Sequence, residues 1–161
     1  MIRRKEELAQ RLQRDFEVCD RHVYRIREAL AGLSVDLPIS AEVYHNFSSE
    51  QVRCVDQFLF RFAKLQDAMG AKIFRTLLEF WDEDVASLPM RDILDRLERY
   101  RLLPDTEEWV YIRELRNELA HDYPLSDRDV VEVLNELFRK TEVLFSIYKN
   151  IRNAFFEGKA E

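Results

Sequence analysis

Apolar residues recur at steps of three and four along most of this chain, which is the spacing of one face of an α-helix. The first run covers residues 3–30 without Gly or Pro, and Gly32 follows it as a stop signal. A second run, opened by capping-box spacing at Ser48, continues to about Trp81. The segment 33–47 between them is predicted to be a connecting loop.

The rest of the chain repeats this pattern. A short helix is predicted over residues 93–100 and a longer one over 105–121. A last helix, opened by Ser126 with Asp129 three residues later, is predicted over 126–158. Pro124 disfavours helical geometry at the residue before it, which separates the last two helices. No strand-like alternation bounded by turn residues occurs. We therefore predict one all-α domain spanning residues 1–161, an antiparallel up-and-down bundle of four main helices plus one short helix.

Gly70 lies inside the apolar stripe of the second helix. A glycine there costs about 1 kcal/mol of helix propensity relative to Ala. It marks either the close approach of another backbone or a harmless interior position.

The charge balance restricts the classes of partner. The chain is 35% charged with a net charge of -6, so it does not coat nucleic acid through a global basic field. Residues 53–75 carry five cations and two anions, a local excess that suits either a basic binding site or an ordinary solvated helix surface.

The N-terminal sequence and the hydropathy pattern predict a cytoplasmic protein. No signal peptide follows Met1, and no run of about 18 apolar residues occurs that would span a membrane.

Cysteine and histidine spacing gives little indication of a metal. Cys19 and Cys54 fall in separate predicted helices, so we expect two buried free thiols rather than a disulfide. Cys19 and His22 have the i,i+3 spacing of two zinc ligands, but no second pair is visible. His45 lies in the predicted loop without an evident partner. We predict no metal and no cofactor.

The end of the fourth helix carries the residues that suit chemistry. Beside its core face, an arc of the helix presents, in order around the axis, Arg116, the small Ala120, Arg113, Asn117 and His121. An imidazole with a pKa near 6.5 can remove a proton from the 2′-hydroxyl of RNA, and a guanidinium can stabilise charge on the phosphorus. The alternative is structural: Arg116 pairs with a Glu and His121 favours the helix C-terminus.

The segment Arg116-Asn-Glu-Leu-Ala-His121-Asp-Tyr123 resembles the Arg-x4-His-x-Tyr signature of HepT toxins in the HEPN superfamily. Trp109, Arg113, the long helices and the chain length are also similar to these proteins and to related nucleotidyltransferase substrate-binding proteins.

This resemblance implies a homodimer with two motifs facing one another across a composite cleft. It implies a type VII toxin, a metal-independent endoribonuclease acting on tRNA or mRNA, with Arg116 and His121 catalytic and Asn117 and Arg113 supporting. It also implies a minimal nucleotidyltransferase antitoxin that adenylylates Tyr123. The added phosphate would bring negative charge to a cationic cleft.

A second hypothesis is that the protein binds the nucleotidyltransferase but does not cleave RNA. The net acidity and the Asp122 carboxylate beside His121 suit a non-catalytic module that binds a nucleotidyltransferase through the same motif.

Overall fold

The computed structural model describes residues 2–120 and 126–158, and within them every regular element is helical. The helices are α1 (Ile2–Leu33), α2 (Ala41–His45), α3 (Ser49–Ala68), α4 (Phe74–Phe80), α5 (Met90–Arg99), α6 (Thr106–Ala120) and α7 (Asp127–Glu157). A π-helix, Met69–Ile73, joins α3 directly to α4. The all-helical class is thus confirmed for the described part of the chain. None of the helices described is long and apolar enough to cross a membrane.

Two helix starts predicted from serine caps are confirmed. Before α3, the Ser48 hydroxyl accepts from the Gln51 amide at 3.2 Å, and the Gln51 side chain accepts from the Ser48 amide at 2.9 Å. Before α7, the Ser126 hydroxyl accepts from the Asp129 amide at 3.2 Å. Each bond satisfies an amide that the first helical turn leaves without a partner, so local sequence alone determines these boundaries.

The connection between α1 and α3 differs from its prediction in two respects. The predicted loop contains the short helix α2, capped by the Ser40 hydroxyl, which accepts from the Val43 amide at 3.1 Å. Gly32 also does not end α1, which continues to Leu33 and exits through Ser34 with a φ of 51°. A Cβ on Gly32 would lie 2.7 Å from the Cys54 sulfur, so this glycine permits close packing of α1 on α3.

α1 packs antiparallel to two neighbours, α3–α4 on one side and α7 on another. Arg4 near its start pairs with Glu79 at the end of α4, at 3.6 Å, so α3 and α4 run antiparallel to it. On another side, the Tyr148 hydroxyl of α7 donates to Asp20 at 2.6 Å, and Arg27 pairs with Glu142 at 3.6 Å. Since the earlier α1 residue meets the later α7 residue, α7 is also antiparallel to α1.

α6 lies between α3–α4 and α7. Its Trp109 ring packs on Phe74 with centroids 4.7 Å apart, and its Glu108 pairs with Lys140 of α7 at 2.8 Å. Trp109 is almost fully buried, and burial of such a ring stabilises the fold by roughly 3 kcal/mol. This anchor fixes the rotation of α6 and hence the direction of its polar arc.

Gly70 has a specific role in that anchor. A Cβ added to it would lie 3.1 Å from Cζ2 of Trp109, so the π-helical turn leaves room for the indole ring. The prediction of a close approach is right about the position and wrong about the approaching group, which is a side chain rather than a backbone.

Candidate functional site at the seam between α3 and α6

Arg116 is the predicted site residue that the structure positions most firmly. Its Nη1 donates to Oδ1 of Asp67 at 2.6 Å and to the backbone oxygen of Ala63 at 3.3 Å, both on α3. Its Nε donates to Oδ1 of Asn117 at 3.0 Å. The side chain is only 18% exposed. Arg116 therefore lies in the seam between two helices, held on three sides.

The third nitrogen of the same guanidinium differs from the other two. Nη2 of Arg116 makes no hydrogen bond to any described residue, although Nε and Nη1 are both engaged. Arginine presents its donors in a planar fork that suits an anionic oxygen. The contacts of Nε and Nη1 fix the plane of this fork, and Nη2 has no hydrogen-bond partner among the described residues.

Asn117 and Arg113 have different surroundings. Asn117 is half-buried, and its side-chain oxygen accepts the hydrogen bond from Nε of Arg116. Arg113, one turn earlier, is exposed and forms no side-chain hydrogen bond or ion pair with the residues that the structure describes. Arg113 thus contributes an exposed positive charge on the same arc.

His121 and Tyr123, the predicted catalytic base and modification site, lie outside the described residues, as does Asp122. α6 is described to Ala120, whose side chain is exposed. The geometry between Arg116 and His121 therefore stays a prediction.

Asp67 is a site residue that the sequence did not single out. It appeared only as one of two anions in the basic stretch, and it pairs with an arginine 49 positions later. Its carboxylate offsets the charge of Arg116, whereas the structural alternative for this arginine named a Glu as the partner.

A second group of charges lies one to two turns earlier on α3. Arg61 donates from Nη1 to Nδ1 of the buried His22 at 3.1 Å. Burial, followed by the positive charges of Arg61 and Lys64, lowers the pKa of His22 below its ordinary value. The imidazole is neutral at pH 7, so it orients Arg61 without cancelling its charge.

The structure gives no support to the zinc alternative at Cys19 and His22. Cys19 is buried among apolar side chains, and this burial, with the nearby Asp15 carboxylate, raises the pKa of its thiol to about 12. Residues 2–120 and 126–158 contain no group of three or more His, Cys, Asp or Glu side chains placed to hold a metal ion. Both cysteines are free and buried, as predicted.

His45 has a structural partner. Its Nδ1 lies 3.1 Å from Oδ2 of Asp127, which connects α2 to the first turn of α7. Both side chains are largely exposed, so this contact contributes little to stability.

No family model matches the chain, and comparison with curated proteins and with solved structures also finds no match. Interpretation of the seam therefore depends on the residues of this chain and their contacts.

Proposed function

We propose that this chain is a HepT-like HEPN endoribonuclease that cleaves RNA without a metal ion. The observation that supports it most directly is the state of Arg116, whose guanidinium is fixed by Asp67, Ala63 and Asn117, while Nη2 has no partner within residues 2–120 and 126–158. A guanidinium held in place before substrate arrives can stabilise charge that develops on a phosphate without reorganising. Arg116 precedes His121 by five residues, which is the spacing of the HEPN signature.

In the proposed reaction, His121 takes the proton of the RNA 2′-hydroxyl, and the 2′-oxygen attacks the adjacent phosphorus. The bond from phosphorus to the 5′-oxygen of the next nucleotide breaks, and that oxygen takes up a proton. Arg116 stabilises the negative charge on the non-bridging oxygens. The products are a 2′,3′-cyclic phosphate and a 5′-hydroxyl end.

The arrangement of the helices and the pairing of two chains are part of the same proposal. α1, α3–α4, α6 and α7 would form the HEPN-like up-and-down bundle, and two chains would join so that both motifs line one cleft. Ala120 supports this because an exposed small side chain at the end of α6 allows another helix to approach closely. A minimal nucleotidyltransferase would neutralise the dimer by transferring AMP to Tyr123.

One contact favours the non-catalytic alternative. The Asp67 carboxylate lies 2.6 Å from Arg116 and competes with any phosphate for the guanidinium. In that case, the seam would be a docking surface for the nucleotidyltransferase, and Arg116 would mainly join α6 to α3.

Incubation of the purified protein with tRNA in the presence of EDTA tests the proposal. We expect fragments that end in a 2′,3′-cyclic phosphate, and their loss in Arg116→Lys and His121→Ala. Arg116→Lys keeps the positive charge and removes the planar guanidinium, so it shows whether cleavage needs the guanidinium geometry or only the charge. Arg53→Ala is the matched control, because Arg53 is an exposed arginine of α3 outside the seam.

Circular dichroism of each variant checks that the helices are intact. Cleavage by His121→Ala at the wild-type rate would overturn the catalytic assignment. An intact wild-type dimer that leaves RNA uncut and binds the nucleotidyltransferase through Arg116 would favour the docking alternative.

A further inference from the structure

Phe60 is an exposed aromatic ring between two cations on α3. Its side chain is 55% exposed, Nζ of Lys64 lies 5.5 Å from the ring centroid, and Cζ of Arg61 lies 5.7 Å from it. A single exposed ring is common on protein surfaces, so its meaning depends on the groups beside it. Two cations beside the ring suit a partner that carries negative charge.

The charges of Arg61 and Lys64 are not compensated by acids. Neither forms an ion pair with a carboxylate among residues 2–120 and 126–158, whereas other arginines and lysines of the chain do. Among the described residues, the hydrogen-bond partner of Arg61 is the ring of His22, whose lowered pKa favours its neutral form. A fixed guanidinium and a flexible ammonium beside one exposed ring suit a ligand that carries both an aromatic face and negative charge.

This group is continuous with the seam that holds Arg116. Ala63, whose carbonyl accepts from Arg116, follows Phe60 by three residues, a rise of about 4.5 Å along the helix. Phe60, Ala63, Lys64 and Asp67 lie on one face of α3 because they recur at steps of three and four. α3 and α6 are antiparallel, so Phe60 lies toward the C-terminal end of α6.

We propose that Phe60 stacks on a base of single-stranded RNA, while Lys64 and Arg61 contact the flanking phosphates and direct the strand toward Arg116. The proposal rests on the proposed ribonuclease function and extends it to substrate positioning. Stacking on an aromatic side chain with basic residues beside it is the common mode of binding single strands without sequence preference. It also explains how an acidic chain binds RNA, through a local cationic face rather than its total charge.

Two measurements test this. Fluorescence anisotropy of a labelled single-stranded RNA, about ten nucleotides long and in EDTA, gives affinity in a His121→Ala background. We expect Phe60→Ala and Phe60→Leu to weaken binding about tenfold, and Phe60→Tyr to retain it, because only Tyr restores a stacking face. Val52→Ala, which removes another exposed apolar side chain of α3, is the control and should bind normally.

Salt dependence identifies the phosphate contact. Lys64→Gln should reduce the slope of log affinity against log salt concentration by about 0.7, the value for one phosphate contact on a single strand. An unchanged slope would remove Lys64 from the interface.

The outcomes separate this inference from the proposed function. Cleavage by the wild type with unchanged KM and kcat in Phe60→Ala would overturn the stacking role alone. Phe60-dependent RNA binding without cleavage would support the stacking role and overturn the nuclease. Failure of the wild type to bind RNA would overturn both. A halved mass of Phe60→Ala in light scattering would show that a second copy of the chain covers the ring and would overturn the stacking role.

Discussion

Arg116 of α6 and Asp67 of α3 form an ion pair of 2.6 Å across the seam between their helices. The arginine is mostly covered, whereas the carboxylate is 57% exposed. A solvated position in the predicted composite cleft would let Arg116 be removed at little cost to stability. Its contacts to Ala63 and Asp67 change this expectation, since truncation to Ala would remove a part-buried link between α6 and α3.

Asp67→Asn should distinguish a phosphate-binding Arg116 from a purely structural one. The change removes the competing charge and keeps an acceptor for Nη1, so RNA affinity and cleavage should rise. Unfolding by urea should show a loss below about 1 kcal/mol, because the pair is partly solvated. RNA activity that is unaffected by Asp67→Asn would indicate that Arg116 only joins the helices.

Gly32→Ala should destabilise the protein although alanine favours a helix. Its Cβ would meet the Cys54 sulfur at 2.7 Å, and overpacking of this kind costs about 1–3 kcal/mol. In a Cys54→Ala background the obstruction is absent, and the same change should be neutral or stabilising by up to about 1 kcal/mol. The test is a double-mutant cycle of urea unfolding. Additive effects would mean that α1 and α3 do not pack closely here.

His22 should make stability depend on pH in a defined direction. Its pKa in the folded chain lies below the ordinary 6.5 because of burial and then of Arg61, Lys64 and Arg21. As pH falls below 6.5, the unfolded chain takes up this proton first, so stability is lost as pH falls through the folded pKa.

His22→Asn keeps a neutral acceptor for Arg61 and removes the titration. Urea unfolding of both proteins at pH about 7.5 and about 5 measures the effect. We expect the wild type to lose more stability than the variant between these values. Equal losses would show that His22 is protonated freely in the folded chain.

Tyr123 is the predicted regulatory residue, and its modification can be measured directly. The phenol oxygen would attack the α-phosphorus of ATP and release pyrophosphate, which leaves AMP on the tyrosine. Co-expression with a minimal nucleotidyltransferase should add the mass of one AMP group to the peptide that contains Tyr123. Tyr123→Phe should stay unmodified and escape neutralisation. Equal neutralisation of the Phe variant would indicate that the partner acts by binding alone.

Much of the helical structure could be predicted because its signals are local. Apolar spacing marked the long helices, and Ser48 and Ser126 marked two of their starts through bonds to amides three residues away. α2 was missed because five residues are too few to show an apolar stripe. The end of α1 was misplaced because Gly32 was interpreted as a terminator.

The candidate site was predictable only in part. The arc of Arg113, Arg116 and Asn117 follows from helix geometry, but the burial of Arg116 against α3 does not. Asp67 and Phe60 were not found, since no local pattern connects α3 with residues about 50 positions later. The uncompensated charge in residues 53–75 was the one available signal for this face.

The sequence by itself determined where most helices lie and which side chains share a face, because both depend on contacts within one helical turn or two. Only the tertiary structure decided that Arg116 is held by Asp67, that Gly70 accommodates Trp109 and that Gly32 faces Cys54. These relationships depend on the rotation and register of one helix against another. The packing of large buried side chains such as Trp109 sets that rotation, and it involves the whole core rather than any single segment.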